Sequence, residues 1–141
     1  MKKSMFFLLL ATILTTAAFA CQTESKFPVE NTTSATVTNI TAQKLAEMMT
    51  NKDFVLLNVH IPYAGELPNT DLFIPFNNIE GNSDRLPKNK NAKIIVYCRS
   101  GSMSADASKE LLERGYTNIY DLTGGMNAWK NAGFKLLDKG H

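Results

Sequence analysis

Lys93-Ile94-Ile95-Val96-Tyr97-Cys98-Arg99-Ser100-Gly101-Ser102-Met103-Ser104 is the stretch on which the reading of the fold turns. Its first five residues are mostly β-branched or aromatic, the composition of a short buried strand. Residues 104–114 (Ser104-Ala105-Asp106-Ala107-Ser108-Lys109-Glu110-Leu111-Leu112-Glu113-Arg114) have the pattern of a helix. Cys98 therefore falls where a buried strand stops, at the rim of a sheet. The loop after it curls into a helix N-terminus, where unpaired backbone N–H groups and the helix dipole favour negative charge. A thiolate is such a charge, so this placement favours the nucleophilic form of the cysteine. The same cradle suits an anionic sulfur or oxyanion group carried on it. The competing reading is an inert core cysteine, because free cysteine is among the most buried residue types. Arg99, Ser100, Gly101 and Ser102 are cationic, polar or small and do not pack a core, which favours the reactive reading.

Outward from this stretch, strands and helices alternate. Thr41 is placed to cap a helix over residues 42–49, with Leu45, Met48 and Met49 on one face. Residues 54–59 form a continuous apolar strand. Residues 60–90 are irregular, punctuated by Pro62, Gly65, Pro68, Pro75, Gly81 and Pro87. A turn at Gly115 leads to a third strand over 118–122. Gly124-Gly125 precedes a last helix over 126–132, stopped by Gly133. Near-continuous apolar strands alternating with helices predict an α/β fold with a central parallel sheet flanked by helices. Sites in such sheets lie beyond the carboxyl ends of strands, where Cys98 falls. About a hundred residues are enough for one core and not for two.

The first twenty residues read as a signal peptide: Lys2 and Lys3, an apolar run over 5–14, and Ala18-Phe19-Ala20. The run is too short for a membrane span, so an exported protein of the periplasm or cell envelope is expected. Cys21 follows the cleavage site directly. That placement resembles a bacterial lipoprotein signal, in which the cysteine is lipidated and anchors the protein to a membrane. Ala18 and Phe19 stand where leucine and a small residue are usual, and ordinary cleavage after Ala20 is the alternative. Residues 21–39 are polar and Ser/Thr-rich and read as a flexible tether, which leaves 40–138 as the folded domain.

With lipid on Cys21, Cys98 has no intramolecular partner and is a candidate reactive thiol. There is no C-x-x-C pair, and His60 and His141 are too few and too scattered for zinc. No metal or other cofactor is called for. Without residues 1–20 the chain has 13 basic and 13 acidic residues and no basic patch, so no nucleic-acid partner is expected.

From about residue 40 to 137 the sequence resembles a rhodanese-like domain. Cys98-Arg99-Ser100-Gly101 is similar to the start of that family's active loop. Residues 115–129, from Gly115-Tyr116 to Gly124-Gly125-Met126-Asn127-Ala128-Trp129, followed by Ala132-Gly133, are similar to its C-terminal block. Trp129 itself reads as a core anchor. Leu56-Leu57-Asn58-Val59-His60 falls where the family usually ends a strand in aspartate, valine and arginine. The resemblance implies a rhodanese-like fold and a sulfurtransferase in which Cys98 attacks the outer sulfur of a small donor such as thiosulfate. A persulfide then forms on Cys98 and passes to a nucleophilic acceptor, including a protein thiol. It also implies that residues 99–103 and the helix start at Ser104 bind the substrate, with Arg99, Ser100 and Ser102 orienting it.

Three positions depart from the pattern. Met103 stands where a second arginine is usual, Asn58 and His60 replace aspartate and arginine, and the glycine–histidine–isoleucine–proline segment is only echoed by residues 65–68 and Ile74-Pro75. Without an arginine after Gly101 in the loop, phosphoryl transfer is disfavoured. Met103 has two readings. If it faces the donor, the missing charge weakens thiosulfate handling by roughly ten- to a hundredfold and favours a less charged persulfide. If it packs toward Ala107 and Leu111, an arginine there destabilises the domain. His60 is open to an acid–base role or to shaping the loop. Two alternatives stand beside the enzyme: a non-catalytic sulfur-binding or persulfide-delivery module, and a thiol redox sensor.

Overall fold

The computed structural model describes residues 35–140. The signal peptide, Cys21 and most of the tether lie outside the described residues.

Five strands make one sheet: β1 (Thr38–Ile40), β2 (Val55–Asn58), β3 (Leu72–Phe73), β4 (Ile94–Tyr97) and β5 (Ile119–Leu122). They run in the order β1-β5-β4-β2-β3, and every pairing is parallel. Three α-helices flank the sheet: α1 (Ala42–Met49), α2 (Ser102–Glu113) and α3 (Gly125–Asn131). The Thr41 hydroxyl caps α1 by accepting from Lys44 N–H at 3.1 Å.

β4 is the central strand, and all four of its residues are buried. Its side chains alternate between the faces, as a strand requires. Ile94, Val96 and then Cys98 face a core layer with Ala107 and Leu111 of α2. Ile95 and Tyr97 face a second layer with Leu45 of α1 and Met126 and Trp129 of α3. Trp129 is a core anchor, 3% exposed, its Nε1 donating to Lys135 O at 3.0 Å. Cys98 is a free thiol, so packing holds the domain, and each fully buried Leu or Ile contributes about 1.5–3 kcal/mol.

Four details differ from the sequence reading. β1 occupies the last two residues assigned to the tether, and pairs Thr38, Asn39 and Ile40 with Tyr120, Asp121 and Leu122. β3 lies inside the irregular segment, with two 3₁₀ turns, Phe76–Asn78 and Glu80–Asn82, after it. α2 begins at Ser102 rather than Ser104, and α3 begins at Gly125. The chain leaves β2 toward β3 and leaves β4 toward β5. The exits diverge, which makes the carboxyl ends of β2 and β4 the switch point of the sheet, the edge where sites in parallel sheets lie.

Candidate active site

Cys98 follows β4 at this edge, and its Sγ accepts a hydrogen bond from Gly101 N–H at 3.0 Å. The loop closes that tightly because Gly101 sits at φ +108°, ψ −18°, in a region L side chains avoid. Gly101 also caps α2, so the sulfur faces the first turn of a helix whose N–H groups are free. Cys98 is only 1% exposed and belongs to the core layer. Burial alone fits an inert core cysteine. The N–H aimed at its sulfur is what sets it apart, because such a donor stabilises negative charge on that atom.

The loop is held from behind by α3. Met126 N–H donates to Cys98 O at 2.9 Å and Asn127 N–H to Arg99 O at 3.0 Å. The N–H groups of the first turn of α3 thus bind the carbonyls of the Cys98 loop. Gly125 makes this approach possible: a Cβ there would lie 2.1 Å from Cys98 O.

The six loop residues expected to meet substrate divide into three groups. Arg99, Ser100 and Ser102 are exposed, and Gly101 supplies the N–H. Met103 is half-buried and packs against the α2-side core with Ala107 and Leu111. This is the inward-packing alternative, and the side chain takes it because α2 starts two residues early and turns Met103 under the loop. Ser104 is fully buried, and its hydroxyl donates to Gly101 O at 3.1 Å. It supports the loop from beneath. Met103→Arg is therefore expected to cost about 1–3 kcal/mol, since the charge must leave a packed site. Activity falls with thiosulfate and with a neutral persulfide alike. Parallel rates on both donors, with a melting curve, check this; a gain confined to thiosulfate contradicts it.

Asn58 is fully buried and builds the turn after β2. Its Oδ1 accepts from His60 N–H at 3.0 Å and its Nδ2 donates to Gly65 O at 3.2 Å. His60 is 8% exposed and its ring Nδ1 has no partner. Burial and then the nearby Arg99 charge push its pKa below the ordinary 6.5, which keeps it neutral at pH 7. Tyr97, which the sequence marks only as a strand residue, ties the irregular segment down: its hydroxyl accepts from Leu67 N–H at 3.1 Å and lies 2.6 Å from Thr70 Oγ1.

Residues 41–132 match the family described as Rhodanese-like domain. A sulfurtransferase of Allochromatium vinosum is 28% identical over 72% of this chain and 95% of its own length. The thiosulfate sulfurtransferase GlpE of Pseudoalteromonas translucida is 26% identical over 67% of this chain and 90% of its own. Among solved structures, a rhodanese-related protein from Thermoplasma volcanium superposes with a TM-score of 0.61 at 26% identity, covering 71% of this chain and 97% of its own.

Proposed function

Since the chain belongs to the rhodanese-like domain family, with relatives named as sulfurtransferases, we propose that it transfers sulfane sulfur through a persulfide on Cys98. The observation that carries this reading is the Gly101 N–H held 3.0 Å from Cys98 Sγ at the start of α2. In the first half-reaction the Cys98 thiolate attacks the outer sulfur of the donor. A new S–S bond forms, the donor's S–S bond breaks, and the leaving group (sulfite, from thiosulfate) departs with the bonding pair. The persulfide keeps one negative charge, which the loop N–H groups stabilise. In the second, an acceptor takes the outer sulfur and Cys98 leaves as thiolate. Cyanide gives thiocyanate directly; a thiol gives its own persulfide and releases one proton. No net oxidant enters either step.

The 1% exposure of Cys98 favours a second reading, a delivery module that loads sulfur and holds it until a protein thiol docks. We also propose, from the pattern around Ala18-Phe19-Ala20-Cys21, that the protein is exported and anchored in the cell envelope by lipid on Cys21.

Intact and peptide mass spectrometry of the full chain from its native host tests these readings together. Persulfide donor should add about one sulfur mass to the Cys98 peptide, and cyanide or a thiol should remove it. Unchanged mass after donor treatment rejects the persulfide. Prompt release to small acceptors supports the enzyme, and release only on adding a protein thiol supports delivery. Lipid mass on Cys21 supports anchoring, and a bare Cys21 in soluble protein rejects it.

A further inference from the structure

Cys98 is 1% exposed and follows a strand buried along its whole length, so a donor must approach it from the carboxyl edge of the sheet. The register fixes its neighbours at that edge. Asn58 of β2 pairs with Tyr97 of β4, and Val59 N–H donates to Tyr97 O at 3.0 Å, so Val59 lies abreast of Cys98. Val59 O in turn accepts from Phe76 N–H at 3.1 Å, which puts Phe76 one chain further out at the same level. Val59 and Cys98 belong to the core layer under α2. Phe76 is half-buried and packs against that layer, and its 3₁₀ turn packs against α2.

Among the described residues, the partly buried apolar side chains on this layer are Val37, Val55, Leu72, Phe76, Met103 and Leu112. Val37 precedes β1, Val55 and Leu72 open β2 and β3, and Leu112 lies in the last turn of α2. Only Phe76 and Met103 stand at the carboxyl end with Cys98, and the early start of α2 turns Met103 under the loop. Phe76 is thus the apolar side chain left with a free face beside the thiol. The loop on the other side presents Arg99, Ser100 and Ser102, all exposed. A polar, cationic wall and an aromatic wall suit a donor with an anionic or polar end and an apolar body. Thiosulfate is a hydrated dianion, and a ring face cannot replace the water it would lose. An apolar organic group is buried against a ring at a gain, and sulfur next to a ring is also favourable.

We infer that Phe76 is a specificity-determining residue that selects donors whose sulfane sulfur is bonded to an apolar organic group. The inference rests on the proposed Cys98 persulfide and names the donor class for that site. The first half-reaction keeps its balance: the Cys98 thiolate bonds the outer sulfur, the bond from that sulfur to the rest of the donor breaks, and an organic sulfinate or thiolate leaves with the pair. Benzenethiosulfonate, methanethiosulfonate and thiosulfate test it on the full chain. The first two carry the same charge and differ in the apolar group. Sulfur loading of the Cys98 peptide is followed by mass spectrometry, and each rate is divided by that donor's rate with free cyanide to remove intrinsic reactivity. Wild type should favour benzenethiosulfonate over methanethiosulfonate by about tenfold, the scale of one aromatic contact. Phe76→Ala should abolish that preference. Phe76→Leu keeps apolar volume against the core and should hold the melting temperature while cutting the preference to about threefold. Should Phe76→Ala not fold, the wild-type preference and the leucine variant decide. Equal normalised rates in wild type, a full preference in Phe76→Leu, or a slowing uniform over all three donors overturns the inference and leaves the persulfide standing. If no donor loads Cys98 in wild type, the proposed function fails and this inference falls with it.

Discussion

Cys98→Ser removes sulfur transfer to the buffer background, a loss on the order of 10³-fold or more, while the melting temperature shifts by only a few degrees. Both halves of this result come from the site. In the proposed reaction the sulfur is the atom that bonds the transferred group, and a serine hydroxyl is protonated at neutral pH and a far weaker nucleophile. Serine also fits: its oxygen can accept from Gly101 N–H, which now donates to Sγ at 3.0 Å. The residue lies in the α2-side core layer, 1% exposed, so burying a hydroxyl there costs about 1–2 kcal/mol, offset in part by that N–H. The measurement is steady-state turnover with a persulfide donor and cyanide, beside a thermal melt. A folded variant that retains more than a few per cent of wild-type turnover excludes a covalent persulfide on Cys98. A variant that loses its fold along with its activity would instead mark Cys98 as a packing residue.

The parts of the fold legible in the sequence are those where local pattern and tertiary environment agree. β4 is apolar at every position because it is buried on both faces, and such a run reads as a central parallel strand. α1 carries its own signal in Thr41 and the spacing of its apolar residues. β1 is hidden because it is a three-residue edge strand in which only Ile40 is buried, so Thr38 and Asn39 look like more of the polar stretch before them. β3 is two residues long and lies among prolines and turns. The start of α2 is hidden for a different reason. Its cap is Gly101 at positive φ, with no side-chain oxygen to announce a helix, so Ser102 and Met103 read as loop. That two-residue shift reassigns Met103 and Ser104 from the substrate side to the supporting side. The placement of Cys98 is legible because its strand, loop and helix are contiguous.

The grip of α3 on the loop is equally invisible to local pattern, and it sets the last expectation. Gly125→Ala should cost about 3–5 kcal/mol and lower the melting temperature by roughly 12–40 °C, given about 4–8 °C per kcal/mol for a domain of this size. Gly125 has φ +55°, where alanine is strained by about 1–2 kcal/mol. Its added Cβ would lie 2.1 Å from Cys98 O and 2.9 Å from Arg99 C, both backbone atoms that cannot swing aside. Either the Cys98 loop or α3 must retreat, and retreat breaks the bonds from Met126 N–H to Cys98 O and from Asn127 N–H to Arg99 O, each contributing about 0.5–1.5 kcal/mol. Gly133 supplies the comparison. It has φ +89°, but a Cβ added there would meet no atom within 4 Å, so Gly133→Ala bears only the backbone strain, about 1 kcal/mol. Melting both variants separates strain from contact. Equal losses would place the whole cost in the backbone conformation and remove α3 as the brace of the loop. A much larger loss at Gly125, with slower alkylation of Cys98 in the fraction still folded, ties the glycine that opens α3 to the geometry of the thiol rather than to the core beneath it.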